Sequence, residues 1–91
     1  MVEMTLHASI RVQQRCIPPA VVDWLFEYGS SVRQDGAEVL HFDKAARGRL
    51  ARDLGGTLVS RLGKLLNAYL VVSDDGQVVT AGYRHRRIRR R

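Results

Sequence analysis

Apolar residues recur along the chain at two different periods, and the changes of period mark where elements begin and end. From Thr5 to Cys16 the period is helical: at about 100° per residue, Leu6, Ile10 and Ile17 fall within one narrow apolar arc. His7, Arg11 and Arg15 follow each other at intervals of four and form a neighbouring stripe. Pro18-Pro19 interrupts this helix and suits the first turn of a second one. Val21, Trp24, Leu25 and Tyr28 give that second helix a core-facing stripe, and Gly29 stands where a C-terminal cap is expected.

The period then shortens. The stretches 31–34 and 37–42 flank Asp35-Gly36, a dipeptide that favours a two-residue hairpin turn. Asp43 is placed to cap a third helix over 44–54, with Leu50 and Leu54 inward and Lys44, Arg47, Arg49 and Arg52 largely outward. Gly55-Gly56 closes it. Over 57–66 the spacing of Leu58, Leu62, Leu65 and Leu66 predicts a short helix, weakened by about 1 kcal/mol at Gly63. Residues 68–73 and 77–83, rich in β-branched valines, predict a second hairpin around Asp74-Asp75-Gly76. The expected fold is therefore α+β: two N-terminal helices packed on a small antiparallel sheet of about four strands, with one or two helices inserted between the hairpins.

Composition narrows the class. The chain has 91 residues, enough for one domain (1–91) with a modest core. Its 45% hydrophobic and 26% charged content is that of a globular protein. No apolar run approaches the roughly 20 residues of a membrane span, and the first residues lack a signal-peptide pattern. Cys16 is the only cysteine, so no internal disulfide is possible, and it reads as a packed small side chain. These features predict a cytoplasmic protein without a membrane partner.

Charge changes the picture more. The chain carries 15 basic and 9 acidic residues, a net charge of +6. Six arginines in the segment 84–91 (Arg84, Arg86, Arg87, Arg89, Arg90 and Arg91) account for all of it, leaving a balanced body. A basic end on a neutral domain is the electrostatic footprint of a polyanion partner, nucleic acid above all, although acidic proteins and anionic lipids attract it too.

Two constellations could carry chemistry. In the stripe His7, Arg11, Arg15, two guanidinium groups can grip phosphate while an imidazole moves a proton near neutral pH. RNA supplies its own nucleophile, the 2′-hydroxyl, so cleavage needs an acid, a base and cations, and no metal or other cofactor is expected. The same stripe could equally be a solvated helix face paired with Glu3, Asp23 or Glu27. In the second constellation, strand alternation sets Tyr83, His85 and Arg87 on one side and Arg84 and Arg86 on the other. An aromatic among arginines can stack a base while the arginines hold the backbone. Simple electrostatic docking is the alternative. His41, between Leu40 and Phe42, reads as structural or solvent-exposed, and Asp74 and Asp75 as turn residues.

These pieces resemble a known family. His7-Ala8-x-x-Arg11-x-x-x-Arg15-x-Ile17-Pro18, followed by a helix ending at Tyr28-Gly29, resembles the opening of the small bacterial family catalogued as domain of unknown function 4258. The segment from Asp75 to Arg84 resembles its closing hairpin. That family is remotely related to the RelE/barnase-like ribonuclease toxins. The resemblance implies a sheet packed by N-terminal helices, metal-independent RNA cleavage and often a cognate antitoxin partner. It puts His7, Arg11 and Arg15 on the motif positions of the first helix, and Thr80 and Arg84 on those of the last strand. The stretch 44–66 is an insertion relative to the shortest members.

The leading expectation is a toxin-like RNA-binding protein, in its cleaving version a metal-independent endoribonuclease acting on free or ribosomal RNA. His7 and His85 would then be the acid–base pair, and Arg11, Arg15, Tyr83, Arg84, Arg86 and Arg87 would bind RNA. A non-catalytic nucleic-acid or ribosome-binding module, and a protein-interaction domain with a basic docking tail, are the alternatives.

Overall fold

A computed structural model describes residues 3–84. The order of elements is α1 (Leu6–Gln14), α2 (Pro19–Tyr28), β1 (Ser30–Gln34), β2 (Ala37–His41), α3 (Lys44–Leu54), α4 (Gly56–Leu62), a 3-10 turn (Gly63–Asn67), β3 (Ala68–Val72) and β4 (Val78–Tyr83). The four strands form one antiparallel sheet in the order β1-β2-β3-β4. The fold is α+β, with two helices before the sheet and two between its hairpins.

Register fixes which face is which. Leu40, Leu70 and Ala81 stand opposite one another, and with Phe42, Ala68, Val72 and Val78 they meet Ala8, Val21, Val22, Leu25, Ala46, Leu50 and Leu66 in a single core. The helices thus cover one face of the sheet. On the other face, two rows run across the strands: Val32, Val39, Val71 and Thr80, then Ser30, His41, Tyr69 and Gly82. None of these residues joins the core cluster.

Local chemistry sets several boundaries as the sequence predicts. Thr5 Oγ1 accepts from the Ala8 amide at 3.1 Å and Asp43 Oδ1 from the Ala46 amide at 2.8 Å, each capping a helix. Asp35 and Gly36 both have positive φ, 50° and 78°, as a type I′ hairpin turn requires. Gly63, at φ 52°, breaks the helix expected over 57–66 into α4 and the 3-10 turn, and leaves Leu58 exposed.

Three expectations are corrected. Leu6 and Ile10 do not face the core: they are 78% and 44% exposed, while Ala8 is fully buried and Val12 packs against the core. The reason is that α1 lies beside β4 and is held at both ends. Thr5 N donates to Val78 O (3.0 Å), Val78 N to Glu3 O (3.0 Å), and Tyr83 Oη to Cys16 O (3.2 Å). These bonds fix the helix rotation, and close approach favours the small Ala8 over the larger leucine.

Cys16 is exposed, not packed. It is the left-handed residue, φ 53°, of a Schellman motif ending α1, in which Cys16 N donates to Gln13 O and Ile17 N to Val12 O. Ile17 is buried by this turn and not by a helical stripe. Gly29 caps α2 as expected; its φ of −64° is not left-handed, so handedness does not require a glycine there. Space does: a Cβ there would collide with the Leu25 carbonyl oxygen.

Candidate nucleic-acid interface

An antiparallel meander places both hairpin turns at one end of its sheet and the remaining strand termini at the other. At the turn end stand Asp35, Glu38, Asp74 and Asp75, with Glu3 hydrogen-bonded to the start of β4. These are five of the chain's nine carboxylates. Arg33 reaches Asp74 at 3.0 Å, in an ion pair whose side chains are 58% and 75% exposed. Asp75 accepts from the Ser73 hydroxyl and the Gln77 amide, and these bonds hold its carboxyl below the usual range.

The opposite end gathers arginines from three parts of the chain: the end of α1, α3 and the residue after β4. Arg84 follows β4; its amide donates to Asn67 O at 2.9 Å and its Nη2 to Phe42 O at 3.0 Å. Arg47, on the first turns of α3, reaches the same Phe42 O through Nε at 3.2 Å. Its Nη2 donates to Leu66 O at 3.4 Å and Asn67 Oδ1 at 3.5 Å. Arg49 grips Tyr28 O with Nε and Nη2 (3.1 and 2.8 Å) and Ser30 Oγ with Nη2 (3.1 Å). The acceptors of Arg47 and Arg49 are neutral oxygens, which position these two side chains without cancelling their charge. Arg15, one residue from the Cys16 carbonyl that Tyr83 touches, completes the rim. Asp43 lies here too, its Oδ1 accepting from Ser30 Oγ and the Ala46 amide.

The residues expected from the sequence divide between the two ends. His7 is exposed on the first turn of α1, beside the start of β4, and Arg11 is half-buried with its Nε lacking a hydrogen-bond partner among the described residues. Arg15 is exposed at the far end of the helix, about 12 Å from His7 by helical rise. Tyr83 packs on the helix side and donates its hydroxyl to Cys16 O; burial, then the nearby Cys16, raise its pKa. Arg84 belongs to the cationic end, whereas His85, Arg86 and Arg87 lie outside the described residues.

His41, at 4% exposure, is buried, on the face away from the helices. Beside it Tyr69 lies over Gly82: a Cβ on Gly82 would come within 3.0 to 3.2 Å of the Tyr69 ring and hydroxyl. Arg47, Asn67 and Tyr69 were not among the residues the sequence singled out. The clue for Arg47 is its place four residues after the capping Asp43, where a strand turns directly into a helix.

Among the described residues no three His, Cys, Asp or Glu side chains come together as metal ligands would, and no helix is long and apolar enough to cross a membrane. No family model, curated protein or solved structure matches the chain.

Proposed function

We propose that the protein is a toxin-like RNA-binding domain that holds RNA, free or on the ribosome, at the cationic end of its sheet. The observation that carries this reading is the separation of charge. Five carboxylates stand at the turn end, while Arg15, Arg47, Arg49 and Arg84 stand at the other beside the carboxylate of Asp43, with Arg47 and Arg49 donating to neutral oxygens. The chain leaves the described structure at that same end with five more arginines to follow. Such a field draws a polyanion to one end and repels it from the other.

Fluorescence anisotropy of a labelled single-stranded RNA, in EDTA across about 50 to 200 mM salt, tests the reading. Saturable binding is expected, with log affinity falling linearly against log salt. A chain ending at Arg84 should lose affinity, and its salt slope should flatten by about 0.7 for each phosphate contact removed. Absence of binding at the lowest salt, or affinity independent of salt, would refute it. Electrophoresis of the same samples reads cleavage: fragments that disappear with His7→Ala or His85→Ala would add catalysis to binding.

A further inference from the structure

The two edges of the sheet differ. Along β4, Thr5 N donates to Val78 O and Val78 N to Glu3 O, and α1 lies beside the rest of the strand. β1 pairs with β2 alone, and Ser31, Val32 and Arg33 have no backbone partner on their other side among the described residues. The ladder fixes which groups face that way. Gln34 and Ala37 flank a two-residue turn and so exchange both their bonds. The pattern alternates: Val32 bonds inward to Val39, while Ser31 and Arg33 turn their N–H and C=O groups to the open edge. The bond from Arg84 N to Asn67 O, at the other side of the sheet, has the phase this alternation requires. Edges are commonly blunted by proline, a bulge or an outward charge. β1 has no proline, its register with β2 is unbroken, and its charged residue, Arg33, is drawn to Asp74 in the β3–β4 turn.

A second copy of this chain matches that edge in phase, face and charge. Antiparallel pairing about a two-fold axis at Val32 sets Ser31 of one copy opposite Arg33 of the other, and each such pair exchanges two backbone bonds. Val32 meets its symmetry mate on the outer face, so the row Val32, Val39 and Val71 continues across the axis as β-branched neighbours. The same register brings Gly29 opposite Asp35 of the other copy. Arg49 stands there, donating to Tyr28 O at 2.8 Å and Ser30 Oγ at 3.1 Å, neutral acceptors that leave its charge intact. Asp35 is exposed and has no ion-pair or hydrogen-bond partner among the described residues. Symmetry makes this Arg49–Asp35 match twice and sends the two cationic ends to opposite corners of the joined sheet, where they repel least.

We infer that β1 is a self-association edge through which two copies join antiparallel about Val32 into one continuous sheet, Arg49 of each facing Asp35 of the other. The inference does not depend on RNA binding.

Sedimentation velocity of the full chain from about 1 µM to about 1 mM tests it, since an edge of five residues supports a weak dimer. A reversible monomer–dimer equilibrium is expected. Ser31→Pro removes an N–H that faces only the open edge, and should leave a folded monomer, with circular dichroism as the check on folding. Asp35→Asn keeps a residue that tolerates the left-handed turn but removes the charge, and should weaken the dimer about two- to tenfold. Val32→Cys in a Cys16→Gly background places two thiols across the axis at a Cα separation of about 4.5 Å, and should cross-link under mild oxidation. A chain monomeric at the highest concentration, a dimer that survives Ser31→Pro, or a Val32→Cys dimer that does not cross-link overturns the inference. If Ser31→Pro fails to fold, Asp35→Asn and Val32→Cys decide it: an undiminished dimer in the first or no cross-link in the second overturns it.

Discussion

At the turn end of the sheet, Arg33 meets Asp74 in an exposed ion pair, and each turn is built from residues adjacent in sequence. At the opposite end, Arg47 and Arg84 share the carbonyl of Phe42, and Arg49 holds that of Tyr28. One end is local in construction and pairs its arginine with a carboxylate; the other is assembled from distant segments, and its Arg47 and Arg49 donate to neutral oxygens. The difference teaches that a charged surface is better judged by the acceptors its side chains have than by a count of charges. A carboxylate partner lowers the field of an arginine, whereas a carbonyl partner aims that field and leaves it intact.

The severest way to break this contrast is Phe42→Ala. Phe42 is fully buried, and its backbone at the end of β2 supplies the shared acceptor. Removing the ring should cost about 3–5 kcal/mol, a large part of the stability of a domain this small. Urea denaturation measures it; a loss under about 1 kcal/mol would mean that the cationic end does not depend on the core beneath it.

Comparing single arginines sharpens the point. Arg47→Ala removes charged donors from Phe42 O, Leu66 O and Asn67 Oδ1, and should destabilise by about 1–3 kcal/mol. Arg33→Ala removes an exposed ion pair and should cost about 0–1 kcal/mol. The order should be unmistakable in parallel urea curves, and its reversal would mean that the arginine–carbonyl bonds contribute little.

The same division explains what was legible in the sequence. Asp35-Gly36, the Asp43 cap and the valines of β3 and β4 act through neighbours one to three residues away, so the hairpins and α3 could be read directly. Arg84 was legible as part of a basic run. Its partner Arg47 was not, because an arginine on a helix reads as outward unless one knows that β2 ends beneath it. The orientation of α1 failed for a related reason. Leu6 and Ile10 carry the stronger apolar signal, but backbone bonds at Val78 and the Tyr83 hydroxyl on Cys16 O turn Ala8 and Val12 inward instead.

A smaller effect tests the terminus of α1 that reaches the cationic end. Cys16 adopts φ 53°, where a side chain costs more than a hydrogen atom. Cys16→Gly should therefore stabilise the fold, by up to about 1 kcal/mol, less the entropy glycine adds to the unfolded chain. The Schellman bonds from Cys16 N and Ile17 N use backbone alone and should persist. A destabilised variant would show that the Cys16 side chain makes a contribution larger than its strain.

The smallest effect lies where α2 and α3 meet behind that end. Tyr28 Oη donates to Asp53 Oδ2 at 2.8 Å, and this bond, with lesser help from burial and from the charges of Asp53 and Glu27, pushes the phenol up to about 12 from its ordinary 10.0. The folded state therefore holds its proton more tightly than the unfolded chain does. The contribution to stability is full below the unfolded value of 10.0 and is lost as pH rises through about 12. Ultraviolet absorbance of tyrosinate should record a late-titrating phenol that moves to lower pH in Asp53→Asn, because the amide cannot repel the phenolate as a carboxylate does. An unchanged titration in that variant would show that the Asp53 bond does not hold the proton, leaving Arg49 on the Tyr28 carbonyl as the contact that ties α2 to α3 at this point.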